Sequence, residues 1–317
     1  MQTIPRSKAI LQEFDARVDP AIRVEQGESF VVETEDAGCG LIRSKDMADK
    51  LADLWVRKAT PPKGNPVGGP IYIKGAVPGD LLEVQVERIE VDGQGFTFWE
   101  PGRTDLGDST RWPSLNQAHV TIIKHEPGPS GTTRDGRGIV SPKLSWDLAP
   151  MVGCIGVAPQ REVTTTTFGQ DLWGGNMDIR DVKEGTKVYF NVYHEGGLLF
   201  LGDVHATQAD TEYYGVADET RAQVQASCRV IKNKRIPFIR LELEDSIVAV
   251  RTGKSLDVMV DQAMEDLMSW MVEDYGLDPK TAYLHTCINP DVRINVYQCT
   301  LGLATLGAKI SKKYLKS

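Results

Sequence analysis

A mainly β protein is what this sequence predicts, on three observations. Gly (30) and Pro (17) together make up about 15% of the 317 residues, above the ~12% of average usage, which disfavours a helical bundle. Three separate stretches alternate apolar and polar residues with the period of a half-buried strand. Only one long stretch carries helical spacing, and it lies late in the chain. The expected layout is a sandwich-like β lobe over residues 1–150, a second β lobe over 151–235 and a smaller α+β part over 236–317.

The first strand is expected at 28–34, a run rich in Phe and Val that opens after Gly27. The second covers 80–91, where Leu82, Val84 and Val86 alternate with charged residues. The pattern then slips by one at Arg88 before Ile89 and Val91. Such a slip in a period of two is what a β-bulge produces. The third is 187–193. Gly27, Gly79 and Gly185 stand two or three residues before the apolar alternation of these runs begins, where a positive φ lets the chain turn into a strand. Their unequal spacing argues against a solenoid. The Gly-rich segment 93–147 reads as loop, with short strands at 96–99 and 119–124. Thr164–Thr167 reads as an exposed strand or loop. After Ser255 as N-cap, Leu256, Met259, Val260, Ala263, Leu267, Trp270 and Met271 fall on one helical face, and Gly276 stands where the helix should stop. A second helix is expected after Asp278-Pro279.

The net charge is −8, which gives no electrostatic basis for binding nucleic acid. There is no apolar run near the ~18–20 residues of a membrane span and no signal-peptide core in the first residues. Cys39, Cys154, Cys228, Cys287 and Cys299 are scattered and odd in number, as expected of reduced thiols in a cytoplasmic protein. Cys154 sits in an apolar run that suits an inert thiol. No nucleophile elbow, P-loop or dinucleotide fingerprint is present.

The densest polar stretch runs from Trp173 to Glu212. An apolar run, Leu198 to Leu201, leads directly into Asp203, His205, Asp210 and Glu212. Asp203 and His205, two apart on a strand, would face one side and could chelate a divalent ion, and Asp210 or Glu212 could then act as general base. The alternative is that these acids are solvated turn residues.

Several blocks in this order resemble the acetamidase/formamidase family, hydrolases of small amides, over residues 20 to 300 or so. They are the stretch Pro66-Val67-Gly68-Gly69-Pro70 through Asp80, Pro150 to Ala158, Gly174-Gly175-Asn176-Met177-Asp178, Gly202-Asp203-Val204-His205 through Glu212, and Cys287-Ile288-Asn289-Pro290-Asp291-Val292. The resemblance implies a jelly-roll or sandwich-like β fold, a small-molecule amide substrate and a homo-oligomer, dimer or higher. It also implies a divalent metal, zinc or calcium, held by Asp178, Asp203 and His205. Glu212 or Asp210 would serve as base, and the Asn176 amide would help to polarise the carbonyl. The chain departs from the family at three places. Trp173 replaces a His before the Gly-Gly-Asn-Met-Asp block. Ala209-Asp210-Thr211-Glu212 replaces Gly-Asp-Gly-Glu, so both glycines are lost and positive φ there becomes costly. Glu100-Pro101-Gly102-Arg103 replaces Gly-Pro-Gly. Trp173, Arg103 and Glu100 are therefore expected to contact substrate, and to favour one larger than formamide or anionic. A diverged small-molecule or metal-binding module without amidase activity is the alternative function.

Overall fold

The computed structural model describes residues 1–102, 112–299 and 302–315. Its main strands are β1 (Phe30–Thr34), β2 (Val67–Ile73), β3 (Leu81–Trp99), β4 (His119–Glu126), β5 (Met151–Val157), β6 (Gly174–Asn176), β7 (Lys187–Asn191), β8 (Leu199–His205), β9 (Glu219–Ile231), β10 (Arg240–Glu242) and β11 (Ser246–Gly253). Helices α1 (Leu256–Glu273) and α2 (Pro279–Ile288) follow, then β12 (Arg293–Gln298) and β13 (Ala304–Ser311). The fold is mainly β, as its alternation predicts.

Hydrogen bonds join all of these strands in one continuous, curled sheet. Its spine is the antiparallel pair β3 and β9, which runs from Leu81 opposite Ile231 to Phe96 opposite Glu219. The slip at Arg88 is a bulge: Gln225 faces Arg88 and Ala226 faces Val86, so Glu87 is the extra residue. That one residue returns Ile89 and Val91 to the buried face that Val84 and Val86 occupy. The strand-entry glycines take the expected conformation, with φ of 79° at Gly27, 99° at Gly79 and 88° at Gly185.

β8 lies between β5 and β2 and meets β9 only at its last residues, where His205 pairs with Glu219. β5 and β8 are buried along their whole length and β2 nearly so, so they read as continuous apolar runs rather than alternating ones. The main core extends from Ile4 to Tyr297. Residues 1–150 and 151–235, expected to form separate lobes, thus contribute to one shared interior.

The C-terminal part has its own apolar cluster. β10, β11, β13 and β12 are hydrogen-bonded in that order, and Met259, Ala263, Leu267, Trp270 and Met271 of α1 pack against them. Ser255 precedes the helix. Gly276, at φ 71°, turns the chain so that its N–H and that of Leu277 reach the carbonyls of Val272 and Met271. Asp278 caps α2 through the N–H groups of Lys280 and Thr281. Among the described residues no helix is long and apolar enough to cross a membrane, and all five cysteines are free thiols.

One buried ion pair ties α1 to the sheet. Asp266 of α1 and Arg240 of β10 are 1% and 2% exposed, and Asp266 accepts hydrogen bonds from Nε and Nη2 of Arg240. The Trp270 ring lies 4.9 Å from the same guanidinium. Replacing Asp266 by Leu would leave Arg240 charged and largely unpaired, which costs about 3–5 kcal/mol. Urea unfolding of Asp266→Leu is expected to show a loss of that order. A change under about 1 kcal/mol would mean that the pair does not anchor the helix.

Candidate active site

Four strand ends converge on one spot. β8 delivers Asp203 and His205, β9 begins at Glu219, β6 runs on into Asp178, and the turn entering β2 carries Asn65. Thr211 and Glu212 lie on the short helical turn Asp210–Glu212. Asp178, Asp203, His205, Glu212 and Glu219 are between 1% and 6% exposed. Nε2 of His205 lies 3.9 Å from Asp178 Oδ1, 3.7 Å from Asp203 Oδ1 and 3.3 Å from Glu219 Oε2.

This crowding requires unusual backbone. Asn65, Asp178, Asp203, Thr211 and Glu212 adopt φ of 49°, 48°, 54°, 73° and 40°, in the region that L-residues avoid. Across from Asp203, Gly153 supplies the space. A Cβ there would stand 2.6 Å from Asp178 Oδ1 and 2.8 Å from the Asp203 carbonyl.

Neutral amides fix the acids in place. Asn65 Nδ2 donates to Asp203 Oδ2 (2.8 Å) and to Asn176 Oδ1 (3.0 Å). Gln298 Nε2 donates to Asp178 Oδ2 at 2.6 Å. Gln208 sets the imidazole tautomer. Its Nε2 donates to the carbonyls of Asp178 and Tyr297, so its Oε1 must accept from Nδ1–H of His205 at 2.9 Å. That leaves Nε2 as the ring nitrogen facing the carboxylates, where a bound cation would displace its proton, the orientation of a metal-binding histidine.

The electrostatics point the same way. Burial, reinforced by the neighbouring carboxylates, pushes Asp178 up to about 7. Burial also raises Glu219 and holds Glu212 well above the ordinary carboxylic range. For His205 burial acts to lower the value, but Glu219 and Asp203 outweigh it and hold the ring well above the usual imidazole range. Asp178 Oδ1, Asp203 Oδ1 and Glu219 Oε2 are buried without a hydrogen bond from the described residues. Asp178, Asp203 and His205 place ligand atoms within 4.8 Å of one another, as do His205, Glu212 and Glu219. Buried acids that hold protons when the site is empty, with oriented oxygens that lack hydrogen-bond donors among the described residues, fit a divalent cation that would displace those protons.

The sequence matches the profile of the Acetamidase/Formamidase family over residues 5–172 and 165–254. The chain belongs to the acetamidase/formamidase family. It is 24% identical over 257 residues to a Schizosaccharomyces pombe relative and 25% identical over 241 residues to the formamidase of Methylophilus methylotrophus. These matches cover 66% and 60% of this chain. They span 61% and 56% of the two proteins, less than two thirds of either. The crystal structure of an acetamidase from Bacillus halodurans superimposes with a TM-score of 0.86 at 26% identity, covering 98% of both chains.

Within this family frame, the acids and imidazole expected from the sequence divide into two groups. Asp178, Asp203, His205 and Glu212 are together on the cavity, and Asn176 also lines it. Asn176 is held on both sides, its Nδ2 donating to the Thr167 carbonyl at 3.1 Å and its Oδ1 accepting from Asn65. Asp210 is not with them. Its carboxylate is half exposed and pairs with Arg180 at 3.1 Å, because the left-handed Thr211 turns Asp210 and Glu212 to different sides. Trp173 corrects the expectation of a substrate contact. It is buried in the core, 4.8 Å from the Phe14 ring, and is absent from the cavity wall. Glu100 is also outside the wall, its carboxylate taken by Arg57 at 2.6 Å. Arg103 lies outside the described residues. The Thr164–Thr167 run is not simply exposed, since Thr166 is buried and its hydroxyl donates to the Gly64 carbonyl. Cys154 is buried, and burial raises its thiol further from reactivity.

Sequence reasoning missed Glu219, Asn65, Gln208 and Gln298. Gln208 carried a usable signal, lying three residues beyond His205 in the same polar stretch. His125 of β4 is buried with Nε2 3.1 Å from Asp218 Oδ2.

A stability consequence follows from the raised values. Between the ordinary aspartic acid range and about pH 7, folded Asp178 retains a proton that the unfolded chain releases, so stability falls as pH rises through that window. Without metal, the parent should lose at least about 1 kcal/mol relative to Asp178→Asn between about pH 5 and about pH 7.5. A saturating divalent ion should abolish this loss. Parallel pH profiles for the two proteins in chelator would overturn the assignment.

Proposed function

We propose that the protein is a metal-assisted hydrolase of the C–N bond of small linear amides, releasing ammonia or an amine and a carboxylate. The observation that carries this reading is the set of buried carboxylate oxygens, free of hydrogen bonds from the described residues, that meets Nε2 of His205 on a cavity wall. Membership of the acetamidase/formamidase family supplies the bond type.

Asp178, Asp203 and His205 would hold the metal, with Glu219 beside His205. Such an ion polarises a carbonyl and lowers the pKa of water toward neutrality. One imidazole nitrogen with carboxylate oxygens suits zinc, and an oxygen-rich set also admits calcium. Glu212 is the base of choice. It is buried on the cavity and its affinity for a proton is raised, as a group that accepts one near neutral pH requires. Asp210 is withdrawn from that role by its pairing with Arg180. Gln208 keeps the His205 ring in one tautomer, and Asn65 and Gln298 keep Asp203 and Asp178 oriented.

The reading of a diverged binding module loses its two supports. Trp173 packs in the core rather than over the cluster, and Thr211 keeps the positive φ that its missing glycine would favour. Five free cysteines suit a reducing, cytoplasmic setting. The exposed side chains Tyr283, Leu284 and Ile288 of α2 suit a homo-oligomer.

Two variants separate the roles. His205→Ala should lose both bound metal, by elemental analysis, and ammonia release from amides. Glu212→Gln should keep its metal while turnover falls by about 10²–10⁴-fold. Loss of metal from Glu212→Gln would make Glu212 a ligand instead of the base, and retained turnover in His205→Ala would sink the mechanism.

A further inference from the structure

The cavity that ends on the carboxylates is larger than a formamide or acetamide needs. Its volume is about 310 Å³, within the lower range of pockets that enclose drug-sized ligands (~300–1,000 Å³). Formamide has three heavy atoms and acetamide four. Away from the acids the wall changes character. It includes Ile42, Leu51, Leu54, Val56, Phe96 and Phe98. The first four come from the segment between β1 and β2, where Lys45–Asp53 and Trp55–Lys58 form short helical turns. The two rings come from β3. Ile42, Leu51 and Phe96, together with Val120, make an apolar cluster separate from the main core, so this wall is a built surface and not a gap in packing. Phe168, 43% exposed, stands on the same cavity toward solvent.

Among the described residues, the cations on the wall, Arg57 and Lys63, are already matched. Arg57 Nη2 donates to Glu100 and its guanidinium lies 5.9 Å from the Phe98 ring. Lys63 Nζ is 3.0 Å from Glu13 Oε1. Neither is left to attract an anionic group, and the remaining wall selects by burial of apolar surface.

We infer that the site takes a primary amide whose acyl group is bulky and apolar, aryl-bearing or branched, in preference to formamide or acetamide. This rests on the amidase reading above and adds the substrate class. The amide group reaches the acids while the acyl substituent lies against Leu54, Val56 and Phe98. In the reaction a C–O bond to water forms, the C–N bond breaks, and a proton from water leaves with the nitrogen as ammonia, so no co-reactant besides water is needed.

The test uses the metal-loaded protein with formamide, acetamide and phenylacetamide. Ammonia release gives kcat/KM, and calorimetry gives affinity independently of turnover. Phenylacetamide should exceed acetamide at least tenfold in kcat/KM or in affinity. Phe98→Ala should reduce that ratio at least fivefold, and Leu54→Ala reads the same ratio should the first variant fold poorly. A ratio of one or less in the parent, or a ratio unchanged in a folded variant, overturns the inference. Tight binding of phenylacetamide without hydrolysis of any amide refutes the amidase reading but supports the pocket assignment. Hydrolysis that favours acetamide does the reverse.

Discussion

Four carboxyl groups and one imidazole, nearly sealed from water and within a few ångströms of one another, set the terms for the rest of this fold. Like charges 4 Å apart repel by about 1 kcal/mol in water and about 4 kcal/mol at the effective dielectric near a protein surface. Desolvation adds to that. Among the described residues no lysine or arginine stands among the acids to relieve the strain. The chain uses Asn65, Asn176, Gln208 and Gln298, which orient lone pairs without supplying positive charge. The negative field is thereby kept for a cation.

Holding that arrangement needs a scaffold that resists it. Left-handed residues other than glycine cost about 1–3 kcal/mol each, and Asn65, Asp178, Asp203, Thr211 and Glu212 are all of this kind. They persist because each adjoins a strand or turn that is over-determined elsewhere. Asp203 lies within β8, which is paired on both sides and buried along its length. Thr211 is fixed from another part of the chain, its carbonyl accepting from the Cys299 N–H. A sheet that supplies pairing from several directions can impose backbone that no local sequence favours.

That also explains what could and could not be read in advance. Properties repeated along one segment were legible: the alternation of β3 with its slip at Arg88, the stripe of α1 after Ser255, and the pairing of Asp203 with His205. Properties created by distant segments meeting were not. Glu219 is the first residue of an ordinary alternating strand, and Gln298 reaches Asp178 from 120 positions away. Asp210 and Glu212 show how local reasoning fails at the site itself. Spacing of two places side chains together only when the backbone between them is regular, and Thr211 at φ 73° is not. Trp173 was misplaced for a related reason. Gly174 and Gly175, at φ 104° and 116°, bend the chain there, and the indole goes inward to Phe14 while Asn176 and Asp178 face the cavity.

The apolar wall and the acid cluster act on one another. Ile42, Leu51, Leu54 and Phe98 line the cavity with apolar surface, and a site made drier by a ligand against them would strengthen every interaction between the acids and a bound cation or a developing charge on substrate. A substrate with an apolar acyl group completes the enclosure, whereas acetamide leaves the chamber beside the acids wet. Size selection and electrostatic strength are then two effects of the same surface. Ile42, Leu51, Leu54 and Val56, which supply most of it, belong neither to the acid cluster nor to its amide supports, so changes at these positions can alter what the site accepts without altering the cluster that would carry out the chemistry.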